Sequence, residues 1–175
     1  ACGGGSTDTE PAPEPHKLAA FGDSMTYISA AEFGAALGVE THNAGVGSTT
    51  SSEIAAALIA YPDRSRSFTI WAGHNNFRDP AQVLADVAAM VAAVGHGRYV
   101  VLGMVYADRP DEYAGGVARP IKAGINATLA ATYPGRYVDP AAILAARHNG
   151  SAQDLADVAH GVTPTSLRAP GDGIH

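Results

Sequence analysis

The sequence predicts an α/β protein in three layers, a parallel sheet of about five strands covered by helices on both faces. Three observations lead there. Short apolar runs that read as buried strands alternate with longer segments of helical periodicity. Such alternation is met by βα repeats, whose strands lie parallel and are buried on both faces. Each of the first three apolar runs is also followed by a polar, glycine-bearing cluster: "GDS", "NAGVGST" and "GHNN". Right-handed crossovers bring all strand ends of one polarity to one edge of the sheet, where ligands bind in open α/β folds.

In chain order, "KLAAFG" is an apolar run ending at Gly22 and predicts the first strand. "AAEFGAALG" carries a helical pattern that stops at Gly38, and "VETHNAG" is a weaker strand. "SSEIAAALIAY" reads as a helix opened by a serine cap and closed by Pro62. "SFTIWAG" follows as a strand. The clearest helix is "DPAQVLADVAAMVAAVG", with Asp79 to cap it, Pro80 in its first turn and Gly95 after its end. "RYVVLGMVY" is a buried strand, "ARPIKAGINATLAATYPG" a helix, "RYVDP" a short last strand and "SAQDLADVAHG" a final helix.

Composition narrows the function classes. The chain has 175 residues, 46% of them hydrophobic and 16% charged, which suits one domain with a sizeable core. A formal net charge of −6 without a basic run argues against nucleic acid as a partner. No apolar stretch approaches the ~20 residues that cross a bilayer. A single cysteine, Cys2, excludes an internal disulfide framework and a cysteine-rich metal site.

Residues 1–16 form a Gly/Ser/Pro/Glu-rich run without a large apolar side chain, so they predict a flexible linker ahead of one domain over residues 17–175. The start, "ACGGGS", resembles the junction of a bacterial lipoprotein, in which the cysteine carries the lipid. That resemblance implies a protein tethered to the cell envelope through Cys2, with the membrane a partner only through that anchor. The alternatives are secretion without a lipid, or a cytoplasmic protein with a plain tail.

The chemistry centres on Ser24, directly after the first strand. As a nucleophile its hydroxyl needs a general base and donors for the oxyanion it creates. As a structural residue it would simply cap the next helix. Glycine-rich "NAGVGST" can turn an N–H outward, and Asn75 offers a side-chain amide after the third strand. Gly45-Val46-Gly47 opens like a dinucleotide loop, but Thr50 stands where the third glycine belongs.

The base must come from seven histidines. His16 adjoins the linker, His96 and His148 sit in turns, His160 ends a helix, and His42 lies in the weak strand. His74, beside Asn75, is a rival. His175 differs in having Asp172 three residues before it, a spacing that lets the carboxylate accept from Nδ1–H and leaves Nε2 free for a serine proton. No His-Glu-x-x-His or paired cysteines occur, so neither a metal nor a cofactor is expected.

Together "FGDSMT", "NAGVGSTT", "WAGHNN" and the terminal "DGIH" resemble, in order, the four blocks of the SGNH (GDSL-type) hydrolases, serine esterases and lipases on a flavodoxin-like fold. The resemblance spans Phe21 to His175. It implies Ser24 as nucleophile and His175 as base oriented by Asp172. Oxyanion donors would be the Ser24 N–H, the Asn75 amide and the N–H of Gly47, with Gly45 the competing choice. Gly22, Asp23 and Gly73 would support the motifs, Asp23 by shaping the nucleophile turn.

Two departures stand out. Asn76 occupies a position that is often aspartate, which takes a carboxylate from the rim. Nothing follows His175, so the base is expected to be poorly held and the terminal carboxylate to crowd it.

The reading is therefore a serine esterase for short-chain esters of small molecules or carbohydrates, such as O-acetyl groups, acting through an acyl-enzyme. The second reading is a tethered binding module with an idle site. Tyr106, Arg109 and Tyr113, in the long polar loop after the fourth strand, are candidates to touch substrate.

Overall fold

A computed structural model describes residues 16–175. The linker, His16 excepted, and Cys2 lie outside the described residues. The chain forms a five-stranded parallel sheet: β1 (Lys17–Gly22), β2 (Glu40–Gly45), β3 (Ser67–Trp71), β4 (Tyr99–Leu102) and β5 (Tyr137–Val138), in the order β2-β1-β3-β4-β5. The helices are α1 (Ser24–Leu37), α2 (Ser51–Ala60), α3 (Pro80–Val94), α4 (Arg119–Thr132), α5 (Pro140–Ala145) and α6 (Ala152–His160), followed by a 3₁₀ turn at Thr165–Leu167. This is the three-layer α/β fold expected. No helix among the described residues is long and apolar enough to cross a membrane.

The two sheet faces divide by the period of two along each strand. Phe68 and Ile70 of β3 point into the larger core with Phe21, against Ile54 and Leu58 of α2, Val83, Val87 and Met90 of α3, and Ile125 and Leu129 of α4. Trp71 points the other way, where Met25 of α1 and Val105 bury it beside Phe33, Leu102, Leu144 and Ile174. Each fully buried side chain of this size contributes about 1.5–3 kcal/mol over leaving it in water.

Several boundaries differ from expectation, each for a local reason. α1 begins at Ser24, not near Ala30, because Asp23 caps it by accepting the Met25 N–H (3.0 Å). α2 is capped by Thr50 rather than a serine, in a reciprocal box with Glu53. α3 keeps the expected Asp79 cap, Pro80 start and Gly95 stop.

β4 ends at Leu102, well short of Tyr106. Residues 104–107 are apolar and buried, but side chains rather than a neighbouring strand satisfy their backbone. Asn126 accepts from the Met104 N–H (2.9 Å) and donates to its carbonyl (2.9 Å), while Glu112 accepts from the Ala107 N–H (2.8 Å). α5, capped by Asp139, is an addition that the short "RYVDP" run did not announce.

The strand order reverses between β1 and β3, since α1 leaves on one face and α2 returns on the other. That switch point is where a crevice opens in doubly wound sheets. Two glycines let the chain pass there. A Cβ on Gly22 would strike Thr26 and the Trp71 carbonyl, and one on Gly45 would strike the backbone of Tyr27. Gly22→Ala should therefore destabilise the fold by about 1–3 kcal/mol through overpacking. Urea unfolding checks this, the midpoint falling without a change in slope.

Candidate active site

Ser24, Asp172 and His175 converge at the carboxyl edge of β1 and β3. Ser24 is the first residue of α1, and the adjacent cap holds it at the end of β1. His175 Nε2 lies 2.7 Å from Ser24 Oγ, and His175 Nδ1 lies 2.8 Å from Asp172 Oδ2. The Asp172 carboxylate only accepts, so Nδ1 carries the proton and the Nε2 lone pair faces the serine hydroxyl. Asp172 Oδ1 also accepts from the N–H groups of Ile174 (2.8 Å) and His175 (2.9 Å). The His175 and Ile174 backbone N–H groups, and then the His175 ring, hold the Asp172 carboxyl well below the usual carboxylate range.

The expectation of a poorly held terminal base is not met. Arg168 has a side chain only 3% exposed and forms ion pairs with Asp108 (3.0 Å) and Asp157 (3.2 Å). Its guanidinium also donates to Thr165 Oγ1 (2.6 Å) and the Gly173 carbonyl (3.3 Å). Two backbone bonds complete the strap, Asp108 N–H to Gly173 O (2.7 Å) and Ala169 N–H to His175 O (2.6 Å). The segment carrying Asp172 and His175 is thus tied to the β4–α4 loop and to α6.

Three segments bring hydrogen-bond donors to the surroundings of the serine. The Ser24 N–H is a first-turn donor of α1, a group with no partner inside a helix. Asn75 donates one amide hydrogen to the Thr49 carbonyl (2.8 Å), which fixes the side chain and leaves its other hydrogen for a ligand. In the loop after β2, Gly45 is spent, because its N–H binds Asn43 Oδ1 (2.9 Å). Gly47 is exposed, but its neighbour Ser48 is the residue that lines the cleft, at φ 63° in the left-handed region. A non-glycine residue in that conformation carries strain, and such strain gathers at functional sites.

The cleft encloses about 190 Å³, with Ser24, Ser48, Asn75, Arg109, Ile174 and His175 in its walls. A larger apolar cavity of about 380 Å³ adjoins it between α1 and α5, and Met25, Ile174 and His175 form part of both. Of the loop candidates only Arg109 reaches the cleft. Tyr106 is buried with the Arg119 guanidinium 3.4 Å over its ring, and Tyr113 stacks on His160 and donates to Asp108.

The remaining histidines within the sheet domain have structural partners. His42 stacks on Tyr61, His96 binds the Arg64 carbonyl, and His148 accepts from Gly150. His74 is not a rival base, since both its ring nitrogens are engaged away from Ser24. Gly73, at φ 113°, makes the turn that carries it.

Asn76 belongs to a hydrogen-bonded group beneath the rim. It accepts from the Ser51 N–H (3.0 Å) and donates to Ser51 Oγ (2.9 Å), whose own hydrogen goes to the buried Asp86 (2.6 Å). An amide suits this position because Ser51 Oγ, its hydrogen committed, must accept.

No family model matches the sequence, and no curated protein does. Solved structures do. The SGNH-hydrolase family esterase AlinE4 aligns with a TM-score of 0.57 at 21% identity, over 73% of this chain and 77% of that chain. A member of the lipolytic G-D-S-L family from Veillonella parvula aligns at 0.55 and 18%, over 71% and 77%. The psychrotrophic esterase EstA from Pseudoalteromonas sp. aligns at 0.52 and 13%, over 75% and 81%. The fold is that of the SGNH hydrolases.

The depressed Asp172 pKa makes a pH-dependent stability difference measurable. A carboxyl whose pKa is lower in the folded state stabilises it above the unfolded value, ~3.9, and that contribution disappears as pH falls through the folded value. The Tm gap between wild type and Asp172→Asn should be full at pH 6–8 and close progressively below about pH 4. A gap independent of pH across that window would contradict the assignment.

Proposed function

We propose that this chain is an SGNH-type serine esterase that cleaves short-chain carboxylic esters, O-acetyl groups on carbohydrate among them. The observation that carries the reading is the Ser24–His175–Asp172 relay, aligned at 2.7 and 2.8 Å on the edge of the sheet where the oxyanion donors gather.

In this reading Ser24 Oγ attacks the ester carbonyl while its proton passes to His175 Nε2. The Ser24 N–H, the free amide hydrogen of Asn75 and an N–H from the Gly47–Ser48 turn receive the oxyanion. The imidazolium, oriented by Asp172, gives its proton to the departing alcohol and leaves an acyl-serine. Water enters by the same route and releases the acid. Asp23 stays out of proton transfer, since one oxygen caps α1 and the other faces His74.

The size of the cleft supports a small acyl group. Its roughly 190 Å³ falls below the ~300–1,000 Å³ of pockets that engulf drug-sized ligands. An idle-module reading would be favoured by a loosely held base and by the Gly/Pro-rich tether, and the buried Arg168 strap weighs against the first of these. Anchoring through Cys2 in the cell envelope rests on the sequence of residues 1–16 alone and is proposed on that basis.

A panel of p-nitrophenyl esters tests the reading. Wild type should turn over the acetate and butyrate faster than the octanoate, Ser24→Ala should be inactive, and Asn75→Ala should lose ~10²–10³ in kcat. Undiminished Ser24→Ala activity would overturn the mechanism. Preference for octanoate would overturn the short-chain assignment in favour of the larger apolar cavity.

A further inference from the structure

One wall of the cleft, through His74, Glu112 and Lys122, belongs to a polar chain that the proposed reaction does not use. Asp23, fully buried, accepts the Met25 N–H on Oδ1 (3.0 Å) and faces His74 Nδ1 with Oδ2 (3.1 Å). On the far side of the ring, Val105 N–H points at His74 Nε2 (3.2 Å). The Val105 carbonyl accepts from Lys122 Nζ (3.3 Å), which pairs with Glu112 at 2.6 Å, and Glu112 in turn accepts from the Ala107 N–H (2.8 Å). Every side chain in this chain is buried.

The direction of the Val105 bond decides the state of the ring. A backbone N–H can only donate, so Nε2 must accept and carry no hydrogen. Nδ1 then holds the ring's one proton and donates it to Asp23. An imidazolium would set a second N–H against the Val105 N–H, and the opposite tautomer would also leave the Asp23 oxygen without its donor. Burial makes either mismatch expensive.

We propose that His74 is a positioning residue which, as the neutral Nδ1–H tautomer, locks the nucleophile turn after β1, the oxyanion loop after β3 and the segment after β4 into one register. Asp23 immediately precedes Ser24, Asn75 immediately follows His74, and Val105 belongs to the smaller core against which Ile174 packs. One imidazole therefore spans the two halves of the site that must hold a reacting carbonyl between them. Trp71 supports it edge-on, ring centroids 5.8 Å apart. The charged groups that surround it are Asp23 from the β1–α1 turn and, beyond Val105, Lys122 of α4 with Glu112, while His175 stands across the cleft.

The role rests on the esterase reading, and the experiment separates the two. His74→Leu keeps bulk without polarity, whereas His74→Gln restores a donor and an acceptor on neighbouring atoms and cannot titrate. With p-nitrophenyl acetate, His74→Leu should lower kcat by ~10–100-fold, the scale of sub-ångström to ångström misplacement, and change KM by less than about threefold. His74→Gln should recover most of that loss.

Unchanged kcat in His74→Leu, or no recovery in His74→Gln where near-UV circular dichroism reports a native fold, would overturn the role. A wild type inactive on every ester would instead sink the esterase reading. The tautomer is read independently from long-range ¹H–¹⁵N spectra of the wild-type imidazoles. His74 should show protonated Nδ1 and bare Nε2 at pH 8, and a protonated Nε2 there would refute the proposal without any variant.

Discussion

The site depends on a single buried guanidinium. Ser24 and His175 lie at opposite ends of the folded chain, and the histidine is not on a helix or strand of the sheet. What brings it to the serine is Arg168, shared between Asp108 of the β4–α4 loop and Asp157 of α6. A charge so deeply enclosed is tolerated only with its carboxylate partners in place, and stripping one partner from such a group costs about 3–5 kcal/mol. The carboxylates are held ready for it. Burial pushes Asp157 up, but bonds from Thr165 and Gln153 and the charge of Arg168 outweigh it and keep the carboxyl below its ordinary range. The Tyr113 hydroxyl and then Arg168 do the same for Asp108 against its burial. The Asp172–His175 turn inherits its position from this cluster, and general-base geometry tolerates little displacement.

On that frame the cleft divides its work by loop. The turn after β1 contributes the Ser24 hydroxyl and its N–H. The loop after β2 contributes Ser48, in a strained left-handed conformation, and a carbonyl at Thr49 that steadies Asn75. The loop after β3 contributes Asn75, and the segment after β4 contributes buried backbone held by Asn126, Glu112 and His74. The topological reversal between β1 and β3 explains why these pieces meet. The close packing at Gly22 and Gly45 explains how α1 comes near enough to the sheet for its first residue to reach them.

Much of this was legible in the residues. Strand–helix alternation anticipated the sheet, and the polar clusters after the first three strands anticipated the edge at which the cleft lies. The Asp172–His175 spacing anticipated the ring orientation because the contact is local. What escaped were features decided by distant partners. β4 looked longer because "GMVY" is apolar, and nothing nearby in sequence says that Asn126 and Glu112 will replace the strand partner. The terminal turn looked loose because Arg168 finds its carboxylates only in the folded chain. Ser48 carries no signal in the sequence, since serine is not the residue expected at positive φ. Asn76 read as a missing rim carboxylate, whereas it completes a bond pattern with Ser51 that depends on Asp86 far along the chain.

The proposed mechanism requires that Ser24 become covalently acylated during turnover. Intact-protein mass spectrometry after rapid mixing with an activated acetyl ester and acid quench, followed by peptide mapping, tests it most directly. One added acetyl group per chain should appear on the peptide that contains Ser24 and disappear as hydrolysis completes. An acetyl group that accumulates on another residue, or turnover that proceeds with Ser24 unmodified under conditions that trap such intermediates, would contradict it.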